Sequence, residues 1–258
     1  MPRYVRVAID DQPTWGILQN EIITTLDNPP YAGGNLDGGS LPLKETRLLA
    51  PVRPSKIICV GLNYALHVKE SQSADKIPEQ PVLFMKPPTA VIGPGDNIVY
   101  PPSSSRVDYE AELAVVIGRT ARHVAENDAE SFIFGYTCLN DVTARDLQKK
   151  DGQWTRGKGF DTFCPVGPWI ETELDYRNTT VESFLNGENK QSGNTSDLLF
   201  PVPFLVSYIS EIMTLLPGDI ISTGTPEGIS PMQPGDTIEI RVSGVGSLTN
   251  QVVAEKKD

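Results

Sequence analysis

The chain has 258 residues, with 22 Lys plus Arg against 33 Asp plus Glu and a net charge of -11. A polyanionic partner would have to bind against the protein's own field, so nucleic acid is not an expected partner. The length allows one elaborated domain or a small domain joined to a larger one; the expected arrangement is a module over residues 1–50 and a catalytic domain over residues 51–258.

Residues 1–13 alternate charged and apolar side chains without a continuous hydrophobic segment, and no later run approaches membrane-spanning length, so no membrane partner is expected. Segments 4–9 and 15–18 read as short strands, followed by a Gly- and Pro-rich loop over 29–39. This predicts a small β-rich N-terminal module. After the Pro-containing stretch 49–54, strand character recurs at 56–61, 82–85, 97–99, 111–117, 134–139, 169–171, 219–222 and 237–242. Helical pattern is confined to 125–132, 142–150 and 204–213. The predicted fold is mostly β with a few helices, a mixed sheet rolled into a sandwich or open barrel.

Cys59, Cys138 and Cys164 sit among apolar residues, as buried reduced thiols of a cytoplasmic protein would. With only His67 and His123 beside them, the chain has no zinc-ligand spacing.

Chemistry concentrates in three clusters. Strand alternation in Asp108-Tyr109-Glu110-Ala111-Glu112-Leu113 turns Glu110 and Glu112 to one face. Two like charges there repel unless a cation or a donor cluster neutralises them; a strand end with both side chains in water is the alternative. Asp141 follows the strand 135–140 where a helix is predicted to begin, and it serves equally well as a third ligand or as the helix N-cap. Arg145 and Gln148, four and seven residues on, share its predicted helical face. An all-oxygen set of Glu, Glu and Asp is hard and favours Mg²⁺ or Mn²⁺, with Ca²⁺ possible, over zinc or copper. In the third cluster, His67 and Glu70 face each other across one helical turn, the spacing of a base and its orienting carboxylate, or of two solvated side chains. The polar stretch 71–80 that follows is read as a lid. Residues 223–228 lack the Lys and spacing of a phosphate loop and read as a site-lining turn.

These blocks, in this order, resemble the fumarylacetoacetate hydrolase superfamily from about Lys56 to about Ser247. The resemblance is carried by Val60-Gly61-Leu62-Asn63-Tyr64 with His67 and Glu70, by Phe84-Met85-Lys86-Pro87, and by the segment from Asp108 to Leu113. It continues through the segment from Asn140 to Gln148, Lys158, the segment from Phe160 to Pro165, and Gly218 to Pro226. One departure is Gly159, where many relatives have Ser. The resemblance implies a β-roll of the superfamily's type, a homodimer, and Glu110, Glu112 and Asp141 as ligands of one Mg²⁺ or Mn²⁺. It further implies that His67 and Glu70 activate water from a lid, that Lys158 neutralises developing negative charge, and that Arg145, Gln148 and Thr225 contact substrate. The implied activity is cleavage of a carbon-carbon bond in a small 2-oxo acid of the acylpyruvate type, by hydrolysis or decarboxylation through a metal-stabilised enolate. Isomerisation of a 2-hydroxy-dienedioate, and a catalytically silent metal-binding protein, are the alternatives.

Overall fold

The structure is a computed structural model and describes residues 2–71 and 76–256. Its first strands are β1 (Arg3–Ile9), β2 (Gln12–Gln19), β3 (Ile22–Leu26), β4 (Leu36–Pro42) and β5 (Arg47–Leu49). The first four form an antiparallel meander, and β5 pairs with β1. The turns at Asp10-Asp11 and Asn20-Glu21 take left-handed backbone, as two-residue hairpins require. The loop expected over 29–39 is shorter than predicted. Its Gly-rich second half has little strand propensity, but the ladder to β3 recruits it into β4.

The chain continues with β6 (Ile57–Gly61), α1 (Ala65–Ser71), β7 (Val82–Lys86), β8 (Val91–Ile92), β9 (Asn97–Tyr100) and β10 (Val107–Asp108). Next come β11 (Ala111–Ile117), β12 (Ile133–Asn140), β13 (Thr143–Ala144), α2 (Arg145–Asp151), α3 (Thr155–Lys158) and β14 (Cys164–Glu171). The last part holds β15 (Thr180–Leu185), β16 (Glu188–Asn194), α4 (Val202–Ile212), β17 (Ile220–Ser222), β18 (Pro231–Met232), β19 (Thr237–Val242) and β20 (Gly246–Ala254). The helix expected over 125–132 is a 3-10 segment, Glu126–Phe132. Of the predicted lid over 71–80, residues 72–75 lie outside the described residues.

Among the described residues, the large sheet runs β4-β3-β2-β1-β14-β12-β11-β17-β6-β7, with β5 on β1 and β8 on β14. The short pairing Arg3↔Glu171 and Tyr4↔Ile170 joins the N-terminal strands to the rest. A second sheet, β16-β15-β19-β20-β9, covers one side. The strand β11 lies inside the large sheet and is buried along its whole length. Ala111, Leu113, Val115 and Ile117 enter the main core, whereas Ala114 and Val116 enter a second core with Ile57, Cys59 and Ile220. Burial on both faces explains why β11 reads as a near-continuous apolar run. The two glutamates at its start are the exception, and the site is built around them. No helix of the described residues is long and apolar enough to cross a membrane.

Candidate active site

The β11–β12 register places Ala111 opposite Asn140, so Glu110 and Asp141 come together at the ends of the two strands. The Asp141 N–H donates to the Glu110 carbonyl at 2.9 Å, and the Glu110 N–H donates to Asn140 Oδ1 at 3.0 Å. Alternation then turns Glu112 toward the same site. One ligand oxygen from each of Glu110, Glu112 and Asp141 lies within 4.8 Å of the other two. All three residues are buried, at 4%, 2% and 1% exposure, which rules out the solvated strand end. Nor is Asp141 a helix cap: α2 begins only at Arg145, with Ala144 in the capping position. Residues 143–144 instead pair as a strand with β10, which delays the helix.

Three cations enter among the carboxylates. Lys158, at the end of α3, donates from Nζ to Glu110 Oε2 at 2.8 Å and to Asp141 Oδ2 at 2.6 Å. Arg145 donates from Nε to Asp108 Oδ2 at 2.8 Å, from Nη1 to Gln148 Oε1 at 2.7 Å, and from Nη2 to Glu110. Lys86, at the end of β7, donates to the carbonyls of Val142, Lys158 and Phe163 at 2.9, 2.6 and 2.8 Å. Its Nζ also stands 2.8 Å from Asp141 Oδ1, yet Oδ1 accepts no well-aligned hydrogen bond from any described residue. Gly157 lets α3 close on α2, because a Cβ there would lie 2.9 Å from the Gln148 Cα.

The charges set the proton affinities. Burial pushes the Glu110 carboxyl up, but the adjacent Lys158 and Arg145 outweigh it and hold Glu110 well below the carboxylate range. Among the described residues Glu112 has no such cation: burial and then the Asp141 charge push it up to about 8. Its Oε2 accepts hydrogen bonds from Ser222 Oγ and, at 2.8 Å, from the Gly224 N–H. That last donor exists because Gly224 takes a φ of +102°, and a Cβ there would lie 2.7 Å from Asn63 Cβ. Burial lowers Lys158, but Asp141 and Glu110 raise it above the ordinary lysine value.

Al the expected site residues except Glu70 line one small cavity, namely His67, Glu110, Glu112, Asp141, Arg145, Gln148, Lys158 and Thr225. His67 is buried and reaches it from α1. Its Nδ1 lies 3.5 Å from Glu70 Oε2, an ion-pair distance and long for a hydrogen bond. Both Glu70 oxygens accept from the Gly228 N–H at 3.0 Å, which ties α1 to the turn over 223–228. Burial pushes the Glu70 carboxyl up, but His67 and the Gly228 N–H bring it below its ordinary value. Thr225 spends its hydroxyl proton on the Ala111 carbonyl at 2.9 Å and accepts from Gln191 Nε2 at 2.8 Å. Toward a ligand, its hydroxyl can therefore act only as an acceptor.

Sequence reasoning gave no role to several residues that shape this site. Lys86 and Asp108 lay inside recognised blocks, and a lysine closing an apolar strand was the available signal. Asn63 is fully buried and donates to the Thr223 and Phe200 carbonyls at 2.7 and 3.1 Å. Gln191 accepts from the Ala111 N–H at 3.0 Å, and nothing in its polar hairpin announced this.

The residues present fit a divalent cation. Three buried carboxylates converge, the set is entirely oxygen, and Asp141 Oδ1 keeps an unused lone pair. A mostly β fold built around such a carboxylate site defines the class. Residues 56–253 match the family described as Fumarylacetoacetate (FAA) hydrolase C-terminal, and residues 3–51 match the one described as Rv2993c-like, N-terminal. The chain belongs to the fumarylacetoacetate hydrolase superfamily. It is similar to the structure of 5-carboxymethyl-2-hydroxymuconate delta-isomerase from Mycobacterium smegmatis, with a TM-score of 0.92 and 47% identity, covering 98% of this chain and 100% of that one. The rat mitochondrial oxaloacetate tautomerase Fahd2a is 40% identical over 225 residues, 83% of this chain and 71% of that protein. Maleylpyruvate hydrolase from Sphingobium sp. SYK-6, in complex with manganese(II) and pyruvate, matches at a TM-score of 0.81 and 32% identity, over 98% of this chain and 100% of that one.

Proposed function

We propose that this chain is a divalent-metal-dependent enzyme that acts on small 2-oxo dicarboxylic acids by moving a proton at the carbon beside the keto group. The observation that carries the reading is the convergence of three buried carboxylates with Lys158 and His67 in one cavity. Glu110, Glu112 and Asp141 would hold one Mg²⁺ or Mn²⁺, with Ca²⁺ a weaker fit to so small a set of ligands. When bound, the ion supplies Lewis-acid polarisation of a substrate oxygen.

The chain's own residues supply the rest. Gln148 Nε2 donates to no described residue, and beside the Arg145 guanidinium it offers a donor to a substrate carboxylate. Lys158 sets a positive charge beside the oxygen on which negative charge grows as the proton leaves. His67, braced by Glu70, is the base that takes that proton and returns it to another carbon or oxygen. Tautomerisation and isomerisation need nothing further. The isomerase and tautomerase relatives, at 47% and 40% identity, support this order over the hydrolase at 32%.

Carbon-carbon cleavage by hydrolysis or decarboxylation is the second reading, favoured by the His67–Glu70 pair, whose geometry serves equally to deprotonate a water. A homodimer in the cytoplasm belongs to the same proposal.

The test is an ultraviolet assay with Mg²⁺ or Mn²⁺ on enol-oxaloacetate, a 2-hydroxy-dienedioate and acetylpyruvate, using the native protein, His67→Ala and an EDTA control. EDTA-sensitive loss of the enol signal without pyruvate formation, abolished in the variant, supports proton transfer. Pyruvate release supports cleavage. Identical rates with and without His67, on every substrate, would remove the reading.

A further inference from the structure

A second cavity, a groove of about 650 Å³, lies where the N-terminal strands meet the rest of the large sheet, and its walls are made by residues that the active site does not use. Arg6, Trp15, Tyr31 and Arg53 line it, with Leu49 and Ile92 among its apolar walls. The Arg6 guanidinium carbon stands 5.1 Å from the centre of the Trp15 ring. The Arg6 Nε and the Trp15 Nε1 are both shielded from solvent and have no hydrogen-bond partner among the described residues. A buried donor left unsatisfied costs about 1–3 kcal/mol, so two side by side in one groove mark a place where an acceptor is missing.

The other polar groups point the same way. Among the described residues, the Arg6 guanidinium donates only to the Ala50 carbonyl, from Nη1 at 3.5 Å. The Tyr31 hydroxyl accepts from the Arg53 N–H at 3.1 Å, and its own proton goes to none of the described residues. Neither guanidinium forms an ion pair with a described carboxylate. Asp96, the one acidic residue among those that line the groove, is already taken by Arg47 at 3.2 Å and by the Gly93 N–H at 2.8 Å. Burial and then the nearby Arg53 charge hold the Arg6 guanidinium below its ordinary value, so the two cations sense each other. In a chain of net charge -11, two uncompensated guanidiniums beside stranded donors are a local exception.

We infer that this groove is a second ligand site, separate from the carboxylate site, and that it takes a small organic dicarboxylate whose carbon skeleton lies on the apolar walls while its carboxylates meet Arg6 and Arg53. Guanidinium forks match carboxylates geometrically, and the Tyr31 hydroxyl adds a further donor. A bare phosphate would satisfy the cations but leave the apolar walls in water, which is why the carbon skeleton belongs to the assignment.

The experiment follows tryptophan emission of the full chain, without added metal, during titration with adipate and, separately, with inorganic phosphate. The native protein, Trp15→Phe, Arg6→Gln, Arg53→Gln and, as a control for the carboxylate site, Arg145→Gln are compared, each checked for native circular dichroism. The expected result is a saturable adipate response that disappears in Trp15→Phe, weakens at least tenfold in Arg6→Gln and Arg53→Gln, and survives in Arg145→Gln. Arg53 is exposed, so its variant separates lost binding from lost folding. The absence of a saturable response, or one unchanged in both groove arginine variants, overturns the site. Phosphate binding as tight as adipate overturns the dicarboxylate assignment.

Discussion

Lys86 Nζ lies 2.8 Å from Asp141 Oδ1, with the lysine side chain fully closed to solvent and the aspartate 1% exposed. The contact joins β7 to the end of β12, and three backbone carbonyls complete the ammonium's surroundings. The lysine sets its ammonium against a metal-type carboxylate and reaches Asp141 from the end of β7.

Replacing Lys86 by Met keeps the bulk of the side chain and removes the charge. Three carbonyls and one face of Asp141 are then left unpaired in the interior. Breaking a buried pair on one side costs about 3–5 kcal/mol, so urea denaturation should show a loss of that order. A midpoint within experimental error of the native protein would show that Lys86 is not holding these elements.

Divalent cation should stabilise the native chain and not the chain that lacks a ligand. At one hundred times its dissociation constant an ion adds about 2.7 kcal/mol, visible as a rise in Tm when Mn²⁺ is added. Glu112→Gln is the informative variant. Gln mimics the neutral acid and can still accept from Ser222 and Gly224, so Tm without metal should hold while the rise with Mn²⁺ is lost. An equal rise in the variant would place the cation elsewhere.

The pH dependence has a defined sign. The Glu112 carboxyl is raised in the folded chain to about 8, so below that pH the metal-free site holds a proton that a cation must expel. Apparent affinity should rise with pH and level off above about 8, with close to one proton released per ion bound near neutrality. Calorimetry in two buffers of different ionisation enthalpy measures that release. In the metal-free chain the same raised pKa acts on stability in the opposite sense. Its contribution is present below the unfolded carboxyl value and is lost as pH rises through about 8.

Gly224→Ala should damage the site without any change of charge. At φ +102° a Cβ would lie 2.7 Å from Asn63 Cβ and 3.1 Å from the Val60 carbonyl. Forcing an L residue there costs about 1–3 kcal/mol, and the turn that gives Glu112 its N–H donor must shift. Reduced Tm together with weaker Mn²⁺ binding is expected; Gly218→Ala, also at positive φ but packed on Tyr31 away from the cavity, should lower Tm while leaving Mn²⁺ affinity intact.

By itself the sequence determined the mostly β character, the alternation that turns Glu110 and Glu112 to one face, and the His67–Glu70 spacing, because each depends on residues a few positions apart in the chain. The family blocks added Asp141 and Lys158 to the same site. The strands β15, β16 and β20 escaped, since their solvent-facing positions are polar and only pairing with a neighbour makes them strands. Whether the two glutamates faced water or the interior, and whether Asp141 capped a helix, was decided by tertiary structure. The β11–β12 register brings Glu110 against Asp141 across thirty-one positions of chain, and the ends of β7 and α3 deliver Lys86 and Lys158 to them. Contacts of that range come from sheet pairing and helix packing, and those leave no local period for a sequence to show.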